Sequence, residues 1–141
     1  MKKLLLILLT AWCLGAHAQN EPNTMENQKP YTILILMNAT PQWLALSRDE
    51  RSAFVEKKLT PIFARVGQTV NIQMFDSEYF HAGVSDFMIV NTSHIDDYQL
   101  MMELLRDTEV YNAPYFEIKD IILGQENRFE DFNERFKREK E

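Results

Sequence analysis

Residues 31–38, Tyr-Thr-Ile-Leu-Ile-Leu-Met-Asn, are rich in apolar side chains on both alternating sets. Successive side chains of a strand point to opposite faces, so a strand written this way is a central one that has to be covered twice. What the rest of the chain offers as cover therefore decides the fold.

The stretch ends in Ala39-Thr40-Pro41-Gln42, which reads as a turn, and Trp43 and Leu44 lead on to Ser47-Arg48-Asp49-Glu50. That S-x-x-E spacing is a capping box and predicts a helix from Arg48 with Phe54, Val55, Leu59, Ile62 and Phe63 as its buried stripe. Pro61 cannot donate a backbone hydrogen bond, so the helix is expected to kink or to end there, with Thr60 capping a second short helical piece. Gly67 closes it.

Residues 70–91, VNIQMFDSEYFHAGVSDFMIVN, then read as two neighbouring strands joined by a polar hinge. On residues 70–80 the apolar face Val70, Ile72, Met74 turns acidic at Asp76 and Glu78, as at a bulge or where a strand leaves the cover of its helix. Gly83 permits the turn, and residues 84–90 alternate as a third strand with Asp86 near its start. Ser93 is expected to cap a second helix with Asp96 in the matching position and Ile95, Tyr98, Met102 and Leu105 as its inner stripe. A polar connection, 107–114, leads to a fourth strand over 115–123 that Gly124 ends. Residues 127–140 predict a charged helix, its Phe129, Phe132 and Phe136 stripe read as packing and Asp131–Arg135 and Glu134–Arg138 as i, i+4 pairs.

The order strand, helix, strand, strand, helix, strand, plus a last helix, is the α+β ferredoxin-like βαββαβ arrangement. Its two helices cover one face of a four-stranded sheet. The economical cover for the second face is another copy of the sheet, giving a homodimer and a dimeric α+β barrel.

Ahead of this domain, Lys2 and Lys3, an apolar run over 4–14 and Ala16-His17-Ala18 have the form of a secretory signal peptide over residues 1–18 with cleavage after Ala18. Residues 19–30 contain one apolar side chain besides their prolines, Met25, and read as a flexible leader. The expectation is a periplasmic or secreted protein with no membrane segment after cleavage. Cleavage removes Cys13, the only cysteine, and leaves 13 basic against 21 acidic residues. An acidic surface of this kind repels phosphate backbones and anionic lipid, which argues against nucleic-acid partners.

Several separated blocks resemble the darcynin family. They are Thr40-Pro41-Gln42-Trp43-Leu44-Ala45-Leu46-Ser47 with Glu50-Arg51, Phe75-Asp76 with Glu78 and Phe80, Val84-Ser85-Asp86, and Gly124-Gln125-Glu126-Asn127 with Asp131-Phe132. The resemblance runs from about residue 31 to 132 and places 31–141 in one darcynin-like domain. It implies a dimeric α+β barrel and no known reaction, and it carries over no catalytic residues. The signal peptide departs from the family's pattern.

Asp76, Glu78, His81 and Asp86 are the candidate catalytic residues, the one group with acid, base or ligand character. A carboxylate could orient His81 as a base, and a histidine among carboxylates could hold a divalent metal, but no diagnostic ligand spacing is present and no metal or other cofactor is expected. The plain alternative is a solvated corner of the sheet. Trp43, Tyr79 and Tyr98, with Tyr111 and Tyr115, are candidates for the wall of a pocket for a small apolar ligand, against the alternative that they are core or dimer contacts. The glycines at 15, 67, 83 and 124 form no phosphate loop, and there is no G-x-S-x-G elbow. Three functions stay open: a dimeric binder of a small apolar molecule, a cofactor-independent isomerase or oxygenase using His81 or Asp76, and a structural or partner-binding protein.

Overall fold

The computed structural model describes residues 29–140, so the expected signal peptide and the leader up to residue 28 lie outside the described residues. Strand β1 (Tyr31–Ala39) lies between β3 (Asp86–Thr92) and β4 (Phe116–Gln125), and β2 (Val70–Asp76) pairs outside β3, giving an antiparallel sheet of order β2-β3-β1-β4. This is the ferredoxin-like order.

The central strand is covered very differently on its two sides. Ile33, Ile35 and Met37 are buried under the helices together with Val70, Met88 and Val90 from the neighbouring strands. On the other side, Leu34, Leu36, Phe87 and Ile89 are only half-buried, and Phe75 and Ile122 are exposed. The described residues supply one cover.

The covering layer differs in detail from its sequence pattern. The expected turn at Pro41 is a short helix, α1 (Pro41–Leu44), because Thr40 caps it and Pro41 sits in the first turn, where its missing N–H costs nothing. In α2 (Arg48–Phe54) both halves of the capping box form: Ser47 Oγ accepts from Glu50 N at 3.2 Å, and Glu50 Oε2 accepts from Ser47 N at 2.7 Å.

A second helical piece begins at Thr60 with Pro61 in its first turn, as expected, but the run is not broken before it. Residues Val55–Leu59 form a π-turn in which Thr60 N bonds to Val55 O, and α3 (Thr60–Val66) continues with Pro61 in its first turn. Thr60 makes no side-chain cap. The wider turn keeps Phe54 and Leu59 buried and leaves Val55, expected inside, 43% exposed.

In α4 (Ile95–Arg106) the cap differs too. Ser93 is not the cap; His94 holds that position without a side-chain bond, and the turn is fixed by Thr92, whose Oγ1 accepts from His94 N at 2.8 Å and donates to Thr69 O at 2.8 Å. Tyr98, Met101 and Leu105 are its buried face. The polar connection after it contains a short helix, α5 (Glu109–Asn112), capped by Thr108. β4 runs through Gly124 to Gln125, with a register shift opposite Leu36 and Met37.

The last helix, α6 (Arg128–Arg138), departs furthest from expectation. Phe129, Phe132 and Phe136 are 75, 43 and 56% exposed, so the stripe read as packing is uncovered in the single chain. Its charges also pair otherwise: Arg128 with Asp131, Lys137 with Glu134 and Arg135 with Glu139, while Arg138 reaches the backbone carbonyl of Glu134.

Ile35 is fully buried at the middle of β1. Ile35→Ala should lower unfolding free energy by about 2–5 kcal/mol through lost burial and the cavity left behind, measured by urea denaturation against the parent chain.

Candidate functional site

Two places combine shape with chemistry: the end of the β2–β3 hairpin and the layer between sheet and helices.

At the hairpin end, Asp76 and Asp86 are register partners on adjacent strands, because β2 and β3 pair antiparallel from Val70 opposite Thr92 onward. Both follow the helix-facing alternation, Val70-Ile72-Met74 and Met88-Val90-Thr92, so both carboxylates lie on the helix side at its open end. The turn beyond them is built by serines. Ser77 N and Glu78 N donate to Ser85 O at 2.8 and 3.0 Å, and Ser77 Oγ donates to Val84 O at 2.8 Å. Ser85 ties the turn to the central strand, since its N donates to Met37 O at 3.0 Å and its Oγ accepts from Ala39 N at 2.7 Å. That hydroxyl in turn donates to Asp86 Oδ2.

Asp86 is half-buried, and burial pushes its carboxyl up from the ordinary aspartate value. The Ser85 hydrogen bond pulls the other way, and the negative charges of Asp76 and Glu78 add to the rise. Among the described residues, none of the three carboxylates has a basic partner in an ion pair. The corner can hold a proton and presents uncompensated negative charge.

His81 is not bound into this group. Its Nδ1 accepts from Gly83 N at 3.1 Å across its own turn, and the side chain is exposed. Gly83 has no left-handed φ, so the turn does not depend on glycine's freedom. Among the described residues no group of three or more His, Cys, Asp or Glu side chains is arranged to hold a metal ion.

The pocket candidates fall in three separate places. Tyr79 is 77% exposed on the hairpin loop. Tyr98 is in the core, where burial pushes its phenol up and nearby Tyr111 adds to the effect. Tyr111 is likewise pushed up by burial, with Arg106 opposing. Trp43 packs its ring 5.9 Å from Phe54, 5.5 Å from Tyr115 and 5.1 Å from Phe116, with the Arg51 guanidinium over its face at 5.6 Å. Arg51 is held there by Trp43 O and Leu44 O. His94 is exposed at the start of α4.

Between sheet and helices the chain leaves a small apolar cavity of about 30 Å³, lined by Met37, Met74 and Met88 from three strands, Leu59 and Phe63 from the first helical layer, Leu105, Val110 and Phe116. Met74 and Met88 are register partners, and Met74, 55% exposed, stands at the mouth. Phe116 joins this cavity to the Trp43 cluster. None of these lining residues was singled out as a binding residue from sequence. The readable signal was three methionines at helix-facing positions of three strands, and methionine is the side chain that best adapts to an irregular space.

The darcynin family model, described as a domain of unknown function, matches residues 18–137. A darcynin homolog of Streptomyces avermitilis is 36% identical over 107 residues, covering 75% of this chain and 87% of that protein. Darcynin 1 of Acinetobacter baumannii is 33% identical over 89 residues, covering 63% of this chain and 98% of that protein. Among solved structures, a variant of chlorite dismutase from Candidatus Nitrospira defluvii superposes with TM-score 0.63 at 19% identity, covering 82% of this chain and 52% of that one. A heme-binding protein from Thermus thermophilus superposes with TM-score 0.61 at 16% identity, covering 70% and 40%. The chain thus spans about half or less of each of these two solved structures, and the likeness is one of fold, the α+β ferredoxin-like fold of the dimeric α+β barrel class.

The raised carboxyl of Asp86 has a consequence for stability. A carboxyl whose folded pKa lies above its unfolded value favours the native state below the unfolded value and loses that contribution as pH rises through the folded one. Asp86→Asn, which keeps an acceptor for Ser85, should therefore raise Tm at pH 7 relative to the parent and give no gain at pH 3. Thermal melts of both chains between pH 3 and pH 8 check this, and a gain independent of pH would contradict it.

Proposed function

This chain belongs to the darcynin family, and we propose that it holds a small apolar molecule in the methionine-walled cavity of each subunit of an exported homodimer. The observation that carries the reading is the cavity itself. It is apolar on every side, it lies between sheet and helices, and three of its walls are unbranched side chains whose rotamers can change without moving the backbone. Met74 at the exposed mouth is the side chain that has to swing aside.

Two features support the homodimer. Leu34, Leu36, Phe75, Phe87, Ile89 and Ile122 form an apolar sheet face that no helix among the described residues covers, with Phe75 and Phe87 stacked at 4.7 Å. A second sheet packed on it about 10 Å away would bury that face in the manner of other face-to-face sheets. The signal-like residues 1–18 support export, with Gln19 as the first residue of the mature chain.

The haem of the Thermus thermophilus neighbour does not carry over to this arrangement. The cavity is an order of magnitude below the roughly 300–1,000 Å³ of pockets that enclose drug-sized ligands, and His81 and His94, the described histidines, are exposed and line no part of it. The cavity as it stands has room for a few carbon atoms, and a one-ring molecule enters only when the methionine side chains change rotamer.

Benzene serves as the probe. At saturating benzene the parent chain should gain several degrees in Tm, since a molecule bound only to the native state stabilises it, and Met74→Arg, which places a charge at the mouth, should abolish the gain while melting as the parent does without benzene. No benzene-dependent shift in the parent chain would end the cavity reading.

Native mass spectrometry of the protein recovered from the periplasm of an expressing bacterium should give a dimer of chains beginning at Gln19. A monomer, or a chain that still begins at Met1, would count against the dimer or against export respectively.

A further inference from the structure

The exposed phenylalanine stripe of α6 and the unpaired acidic corner of the hairpin complement one another. Phe129, Phe132 and Phe136 lie along one side of α6, and residues 135–140 carry four basic side chains against one acidic one. Among the described residues Arg138 and Lys140 pair with no carboxylate. At the hairpin end, Tyr79 and Phe80 are 77 and 90% exposed beside Asp76 and Glu78. One surface is apolar with a basic tip, and the other is apolar and acidic.

The fold keeps these surfaces apart within one chain. α6 leaves the sheet from β4, whose last residue, Gln125, pairs with Tyr31. The acidic corner lies on the opposite edge strand and at the opposite strand end, since Asp86 pairs with Met37 and Asp76 with Asp86. From strand rise and spacing the diagonal between them is roughly 25 Å, whereas an 11-residue α6 is about 16 Å long. Its base is also tethered. Lys29 Nζ meets Asp131 at 3.2 Å and donates to Asn127 O at 3.1 Å, Gln125 Nε2 donates to Lys29 O at 2.7 Å, and Asn127 turns the chain in the left-handed conformation. The helix is held at one end, and on its apolar side the Arg128 guanidinium lies over Phe132 at 5.2 Å while Phe129 and Phe136 stay exposed.

We propose that α6 is an exchange arm that lays its phenylalanine stripe and basic last turn on the Tyr79–Phe80 loop and the Asp76–Glu78 carboxylates of a second copy of this chain. In a two-fold pair the contact is made twice, each arm on the other subunit. This rests on the homodimer reading and adds a contact at the rim of the sheet-to-sheet interface. Basic tip and acidic corner choose a second copy over an unrelated apolar partner, because both halves of the match are carried by every chain. Residues 29–127 hold 8 basic against 14 acidic side chains, whereas residues 128–141 hold five of each with four of the basic ones gathered at 135–140, so the basic tip of the arm is drawn to the acidic body of another subunit.

The test uses two full-length chains, both Cys13→Ser, one with Phe136→Cys and the other with Tyr79→Cys, mixed and treated with a short bis-maleimide. Peptide mapping should find residue 136 of one chain joined to residue 79 of the other. If native mass spectrometry shows an intact dimer and this cross-link does not form, the arm contact is overturned and the sheet pairing stands; a monomer at micromolar concentration overturns both. A charge exchange gives a second reading that does not depend on the linker. Lys137→Glu with Arg138→Glu should raise the dimer dissociation constant about tenfold, and adding Asp76→Lys and Glu78→Lys to the same chain should restore it. Failure of that restoration, with the variant folded by circular dichroism, also overturns the proposal.

Discussion

The structure depends on a mismatch between a strand that must be covered twice and a domain whose described residues cover it once. Ile33, Ile35 and Met37 disappear beneath the helices, and Leu34 and Leu36, one residue out of phase on the same strand, remain half in water. At about 25 cal/mol per Å² of apolar surface removed from water, an uncovered face of Leu, Ile and Phe side chains is a large unspent driving force, and a soluble monomer rarely carries one without a partner for it. The antiparallel order makes that face continuous, because β1 sits between β3 and β4 and their outward residues fall in register with its own. The hairpin corner, the cavity and the free helix all lie around this half-covered sheet.

Most of the fold was legible because its signals are local. A run apolar on both faces over residues 31–38 located β1 and alternation over 84–90 located β3, and Ser47 with Glu50 located the start of α2 to the residue. What escaped was decided by partners distant in sequence. α1 is held down by Thr40 bonding to the backbone of Pro114 and Tyr115, some 75 positions away. The start of α4 is set by Thr92, not Ser93, because the Thr92 hydroxyl is fixed by Thr69 on the neighbouring connection. The α6 stripe has the spacing of a buried face, and spacing alone does not say whether the cover comes from the same chain.

The candidate site divides in the same way. Period-two alternation puts Asp76 and Asp86 on one face of the hairpin, but that they stand opposite one another is decided by the register of β2 on β3. His81 could not be placed from the sequence, because its direction is set within a loop whose hydrogen bonds run through Ser77, Ser85 and Gly83. The cavity was invisible for another reason: methionines in three strands read as ordinary core until the register places Met74 against Met88.

The π-turn at Val55–Leu59 has a consequence beyond accommodating Pro61. In a regular α-helix two residues five apart point roughly 140° away from one another, yet Phe54 and Leu59 are both buried. The i, i+5 bond from Thr60 to Val55 absorbs one residue more than an α-helical route between those two side chains would use. The segment is therefore where this domain's length is most elastic. Removal of one residue among the exposed positions 55–58 would return the helix to regular pitch with Phe54 and its successor leucine four apart on a single face, whereas a deletion in β1, where every step reverses the side of the sheet, would turn the core outward.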